Sequence, residues 1–145
     1  MELRRRMTLA GCVVFASVML SGRAAWAVDP CSLLTTGQAA AALGVPDVNA
    51  GAGANRCIWT PKKYKQGAGQ LTILLEGAND GAKMMGQGTA VSGIGDEAIQ
   101  TVVGNGAVLH VRKGNTWFVV NVHGVPPAQA TQVEQTVAKE IVGKI

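Results

Sequence analysis

Apolar and polar residues alternate most regularly over residues 98–122, where Asn105-Gly106 and Gly114-Asn115 interrupt the pattern. A period of two sends successive side chains to opposite faces of a sheet, and these dipeptides suit two-residue hairpins. The pattern predicts an antiparallel meander with strands at 98–103, 107–113 and 116–122. With Gly114-Asn115 as the turn, Val111 lies opposite Phe118, Leu109 opposite Val120 and Ala107 opposite Val122. Those residues form an apolar face. Arg112 opposite Trp117, His110 opposite Val119 and Val108 opposite Asn121 form the other face. A slip of one residue would set apolar against polar, so the coincidence of the two sets supports the register.

The spacing changes after Pro126-Pro127. Ala130, Val133, Val137 and Ile141 recur at three and four residues, which predicts a helix over 128–142 with one apolar stripe. Gln132, Gln135, Lys139 and Glu140 fall on its opposite side, and the stripe should pack on the apolar face of the meander. Near the other end, Thr35 and Gln38 form a capping box. A short helix follows through Leu43, with Gly44 as its left-handed stop and Pro46 beyond. Residues 45–55 read as a loop. Residues 56–60 read as a strand with Cys57 and Trp59 on one face, 61–69 as a basic turn and 70–76 as a second apolar strand. Residues 77–88 carry glycine at both ends around one or two potential helical turns. The expected class is α+β: an antiparallel sheet ending in a three-stranded meander, a short N-terminal helix, and a C-terminal helix packed on one face.

The first 27 residues belong to a different pattern. Arg4, Arg5 and Arg6 precede an uncharged, mostly apolar run from Met7 to Leu20, and Ala25-Trp26-Ala27 supplies small residues for cleavage before Val28. This is the layout of a cleavable secretory signal, followed by a single domain over 28–145. The apolar run is shorter than the roughly 20 residues a spanning helix needs. Leu9-Ala10-Gly11-Cys12 has the letters of a lipidation site, but most of the apolar run follows Cys12 instead of preceding it. Membrane attachment is therefore expected only if Cys12 is lipidated; otherwise the compartment is the periplasm or the exterior.

Removing the signal changes the charge. The chain has 13 basic and 9 acidic residues, of which Arg4, Arg5, Arg6, Arg23 and Glu2 lie in the signal. The remainder is near neutrality, so the high isoelectric point gives no basic footprint for nucleic acid. Of three cysteines, Cys31 and Cys57 remain. In an oxidising compartment they read most simply as one disulfide. A redox or metal pair is the alternative, without Cys-x-x-Cys spacing or a nearby histidine to favour it.

Little catalytic chemistry is written into the rest. Gly93-Ile94-Gly95-Asp96-Glu97-Ala98 has the letters of a dinucleotide loop, but a strand follows where a helix is required. No cofactor is expected. Asp96 and Glu97, as neighbours on extended chain, should point to opposite faces. His110 and His123 fall on the same outer face about 13 Å apart, too far to share a metal, and each reads as a surface histidine. No nucleophile elbow is present. Lys62, Lys63 and Lys65 around Tyr64 make a basic hairpin tip, able to hold an anionic partner or simply to keep strand edges apart. Trp117 beside Arg112 is the best anchor for a partner on the outer face.

The chain resembles a family of small exported proteins and lipoproteins known as domain of unknown function 3558. The resemblance rests on Asp29-Pro30-Cys31-Ser32-Leu33-Leu34-Thr35 running into Ala39–Gly44, on Cys57-x-Trp59, and on Gly93–Ala98 before a valine-rich hairpin and C-terminal helix. It implies a Cys31–Cys57 pairing and an exported α+β domain, and no activity. The expected function is a non-enzymatic extracytoplasmic module binding a protein, peptide or envelope component. The alternatives are an enzyme or accessory subunit using Asp96, Glu97 and His110, and a structural envelope protein.

Overall fold

A computed structural model describes residues 28–63, 67–77, 80 and 87–145. The signal segment, Tyr64, Lys65 and most of the ambiguous stretch after Gly77 lie outside the described residues. From Val28 the chain passes through a 3-10 turn at Pro30–Ser32 to helix α1 (Thr36–Leu43). It then forms β1 (Val48–Ala52), β2 (Arg56–Pro61), β3 (Gln70–Glu76), β4 (Thr89–Ala90), β5 (Glu97–Val103), β6 (Gly106–Lys113) and β7 (Thr116–His123). Helix α2 (Pro127–Val142) closes the fold.

The start of α1 follows its sequence signal. Thr35 Oγ1 accepts the Gln38 N–H at 3.2 Å and the Gln38 side chain accepts the Thr35 N–H at 2.9 Å. Both donors belong to the helix end, where no intrahelical partner exists. Gly44 ends the helix at φ 67°.

All strands pair antiparallel in one sheet of order β1-β2-β3-β7-β6-β5-β4. The meander β5-β6-β7 has the expected register, with Val111 opposite Phe118 and Arg112 opposite Trp117. The β3–β7 pairing joins the two halves of the chain, from Gln70 opposite His123 to Glu76 opposite Trp117.

Two local expectations are corrected. Residues 45–55 are not all loop: Val48–Ala52 is an edge strand, with Ala52 opposite Cys57 and Val48 opposite Pro61. Its Asn, Ala and Gly residues have weak strand propensity, but β2 supplies partners for its backbone groups, and pairing overrides propensity. The first hairpin turns at Gly104-Asn105, not Asn105-Gly106, because Val103 pairs with Gly106. Gly104 takes φ 55° at the first central position, as a type II′ turn requires. Gly106 is kept in β6 by space: a Cβ there would lie 2.4 Å from the Val122 carbonyl oxygen.

The inner face is the core. Cys57, Trp59, Leu71, Ile73, Leu75, Phe118, Val120, Val122, Leu109 and Val111 are buried there. Helix α2 lies over β6 and β7 and α1 beside β1 and β2. Cys31 and Cys57 form the disulfide, with Cα atoms 5.0 Å apart, tying the 3-10 turn to β2. Lys144 Nζ donates to the Leu33 carbonyl at 2.7 Å and Gln38 bonds Glu140, so the end of α2 is fastened to the N-terminal segment. No helix among the described residues is long and apolar enough to cross a membrane.

Candidate functional site

The outer face of the sheet is organised in rows that the register sets. One row runs Glu76, Trp117, Arg112, Glu97 across β3, β7, β6 and β5. The Arg112 guanidinium sits 5.9 Å from the centre of the half-buried Trp117 ring, within cation–π range. Its Nε donates to Glu97 at 3.0 Å, and Asp96 lies 3.6 Å from the same guanidinium. Glu97, by its hydrogen bond, holds the Arg112 charge still more firmly than usual. Asp96 also accepts the Gly114 N–H at 2.7 Å, which pins the β6–β7 turn.

This geometry corrects the expectation that Asp96 and Glu97 diverge. Both carboxylates converge on Arg112. Alternation applies only within a strand, and β5 begins at Glu97, so Asp96 belongs to the preceding bend. That bend is the Gly93-Ile94-Gly95 segment, with positive φ at both glycines, and it leads into a strand.

His110 is likewise not a surface histidine. It is 5% exposed, and its Nδ1 lies 3.4 Å from Glu76 Oε2, reached diagonally across β7. Val119 beside it is also buried, so this part of the outer face is packed. His123 is exposed at the far end of β7. Among the described residues no three His, Cys, Asp or Glu side chains gather to hold a metal.

The basic tip is only partly within the described residues. Lys62 pairs with Asp47 at the start of β1, and that hydrogen bond holds the Asp47 carboxyl below the usual carboxylate range. Lys63 is exposed. The two lysines rim an apolar recess of about 430 Å³ floored by Val45, Pro46 and Pro61. Lys62 and Lys63 follow β2, beyond the Gln70/His123 end of the strands, whereas the Arg112–Trp117 pair sits on the central strands β6 and β7 at the Glu76 end, so the two are separate features.

A second cluster, which the sequence reasoning missed, lies on the inner face. Glu134 of α2 is completely buried. Its Oε1 accepts the Val122 N–H at 3.0 Å and its Oε2 accepts Gln100 Nε2 at 2.8 Å. Gln100 Oε1 in turn accepts Gln135 Nε2 at 2.8 Å. Loss of water pushes the Glu134 carboxyl up to about 8, against the two hydrogen bonds, which favour the charged form. The signal was available: Glu134 is four residues after Ala130 and three before Val137, at the centre of the apolar stripe. Gln135, expected on the outer side of α2, is half-buried toward β5.

Among the described residues the fold is thus α+β, with α1 and α2 on one face of a seven-stranded antiparallel sheet. No family model, curated protein or solved structure matches the chain.

Proposed function

We propose that the chain is exported by a cleaved signal and acts outside the cytoplasm as a non-enzymatic module that binds a protein, peptide or envelope component through its outer sheet face. The observation that carries this reading is the braced Arg112–Trp117 pair. Its guanidinium is fixed by two carboxylates over an aromatic ring, so a partner meets a surface that needs little ordering, and preorganised aromatic and arginine side chains dominate binding surfaces. Asp96 and Glu97 are engaged with Arg112 and the Gly114 N–H, and His110 with Glu76, which disfavours the enzyme reading built on those three. The disulfide fits an oxidising compartment. The resemblance to domain of unknown function 3558 supports the export half of this reading and carries no activity.

Native mass spectrometry of protein taken from its own compartment tests both halves. The expected species begins at Val28, gains two hydrogens on reduction, and carries an adduct that the Trp117→Ala variant loses while keeping its fold. A chain beginning at lipid-modified Cys12 refutes the cleavage, and an adduct retained by Trp117→Ala refutes the site.

A further inference from the structure

Beside α2, the described residues leave part of the inner face of the sheet open. A groove of about 780 Å³ opens between the β4–β5 edge and α2, with Thr89, Gln100, Val102, Thr131 and Gln135 among its walls. The two glutamines that line it are the outer links of the chain ending at buried Glu134. The groove lies on the opposite face of the sheet from Trp117, so nothing about it depends on that surface.

The chemistry of the chain has two self-consistent directions. As a carboxylate, Glu134 can only accept, and it takes both the Val122 N–H and Gln100 Nε2. Gln100 must then offer Oε1 to Gln135 Nε2, which leaves the Gln135 oxygen for the groove. As a neutral acid, Glu134 carries a proton that the Val122 N–H cannot receive. The proton must go to Gln100, which turns its amide by half a rotation to present Oε1. Its Nε2 then points at Gln135, which turns in the same sense and shows its own NH2 to the groove. A buried donor or acceptor left facing its own kind is expensive, so the three groups reverse together.

Among the described residues of the elements packed around Glu134, no other charge competes. On α2, Lys139 and Glu140 lie more than a turn away, and Glu140 is bonded to Gln38. Glu97 of β5, His110 and Arg112 of β6 and His123 of β7 occupy the outer face by the register. Lys113 has inner-face parity, but it pairs with Thr116, six residues along β7 from Val122, or about 20 Å.

We infer that this groove is a proton-linked binding site for the main-chain carbonyls of an extended, uncharged peptide, with Glu134 setting through Gln100 and Gln135 whether its floor donates or accepts. An uncharged peptide is favoured because the described lining holds hydroxyls, amides and the exposed Val102, with no charged group and no ring on which a sugar could stack. The β4–β5 edge also gives the groove the direction of an extended chain. A carboxyl near 8 is protonated about a hundredfold over at pH 6 and ionised about tenfold over at pH 9, so both states are within reach.

The test is side-chain NMR of the isotope-labelled, exported protein, with N,N-dimethylacetamide as an acceptor-only probe for a peptide carbonyl. The Gln100 and Gln135 amide resonances are expected to titrate with the Glu134 carboxyl carbon, at one midpoint near 8. The probe should shift Gln135 at least threefold more at pH 6 than at pH 9. Glu134→Gln, which has one donor and one acceptor as the neutral acid does, should respond at both pH values as the wild type does at pH 6. Gln135→Leu should abolish the probe response and leave the Glu134 midpoint in place. Glutamine resonances that ignore the Glu134 titration overturn the proposal, as does a probe response equal at the two pH values. A chitin trisaccharide that moves these resonances where the amide does not assigns the groove to a sugar and overturns it too.

Discussion

Replacing Glu134 by glutamine separates the charge of this side chain from its shape. The carboxyl is buried, with a native pKa of about 8 against an ordinary value of 4.5. Below pH 4.5 the acid is neutral in both folded and unfolded chains, and nothing is lost. Between 4.5 and 8 the unfolded chain ionises while the native state keeps its proton, so stability falls as pH rises. The slope approaches about 1.4 kcal/mol per pH unit. Above 8 both states are ionised and the fall stops. The whole effect is roughly 4–5 kcal/mol, of which about 3 kcal/mol has been lost by pH 7. Small domains have only about 5–15 kcal/mol in total, so this one group can dominate the pH profile. Glutamine keeps the size, can accept the Val122 N–H and can bond Gln100, yet does not titrate. Urea denaturation of the exported protein, disulfide intact, at intervals from pH 5 to 9 reads the difference directly. The two proteins should differ by less than about 1 kcal/mol at pH 5, and the variant should lead by about 3 kcal/mol or more at pH 8. Stability curves that stay parallel within about 0.5 kcal/mol across that range would refute the reasoning, because they would mean the carboxyl is not kept from water.

Three further outcomes can be checked by the same denaturation assay. Cys31→Ser should cost about 3–4 kcal/mol, since the bond closes 26 residues of sequence, and the loss should match that produced by reducing the wild type. Gly95→Ala should cost more than Gly104→Ala, although both glycines have positive φ: a Cβ at Gly95 meets the Arg112 carbonyl oxygen at 2.5 Å, whereas at Gly104 nothing lies within 4 Å. The Gly104 change should stay near the 1–2 kcal/mol of the left-handed conformation alone, and equal losses would contradict this. Trp59 is fully buried with an indole N–H that finds no partner among the described residues, so Trp59→Phe should cost under about 1.5 kcal/mol while Trp59→Ala costs about 3–5 kcal/mol. A phenylalanine variant as unstable as the alanine one would show that the N–H is satisfied.

The meander, the α1 cap and the disulfide were legible because each is decided by neighbours in sequence or by counting. Thr35 and Gln38 are three residues apart, and the β6–β7 register follows from one turn and two alternating runs. What the sequence hid is what depends on distant partners. Nothing local in Val48–Ala52 announces a strand, since its partner is β2. Nothing in Gln70–Glu76 says that it will pair along its full length with β7, more than 40 residues later. The fate of Asp96 and Glu97 turned on where β5 begins, and strand ends are weakly marked in any sequence.

Glu134 shows a different limit. Its position was legible, since the spacing of Ala130, Val137 and Ile141 places it at the centre of the buried stripe. Its chemistry argued the other way, because an isolated glutamate is among the residues least often found inside. Reading the helix by apolar letters alone passes over it. Two glutamines resolve the conflict: Gln100 is the polar position on the inner face of β5, and Gln135 is the half-buried position on a side of α2 expected to face water. Each looks incidental alone. Brought together by the packing of α2 against the sheet, they account for how a carboxyl survives in the core, and they carry its proton state to the edge of a groove. A leucine at 134 would have completed the stripe without any of these partners. Three polar residues held in register across two elements, at a cost that rises with pH, fit a site whose protonation is used better than they fit a core that happens to tolerate it.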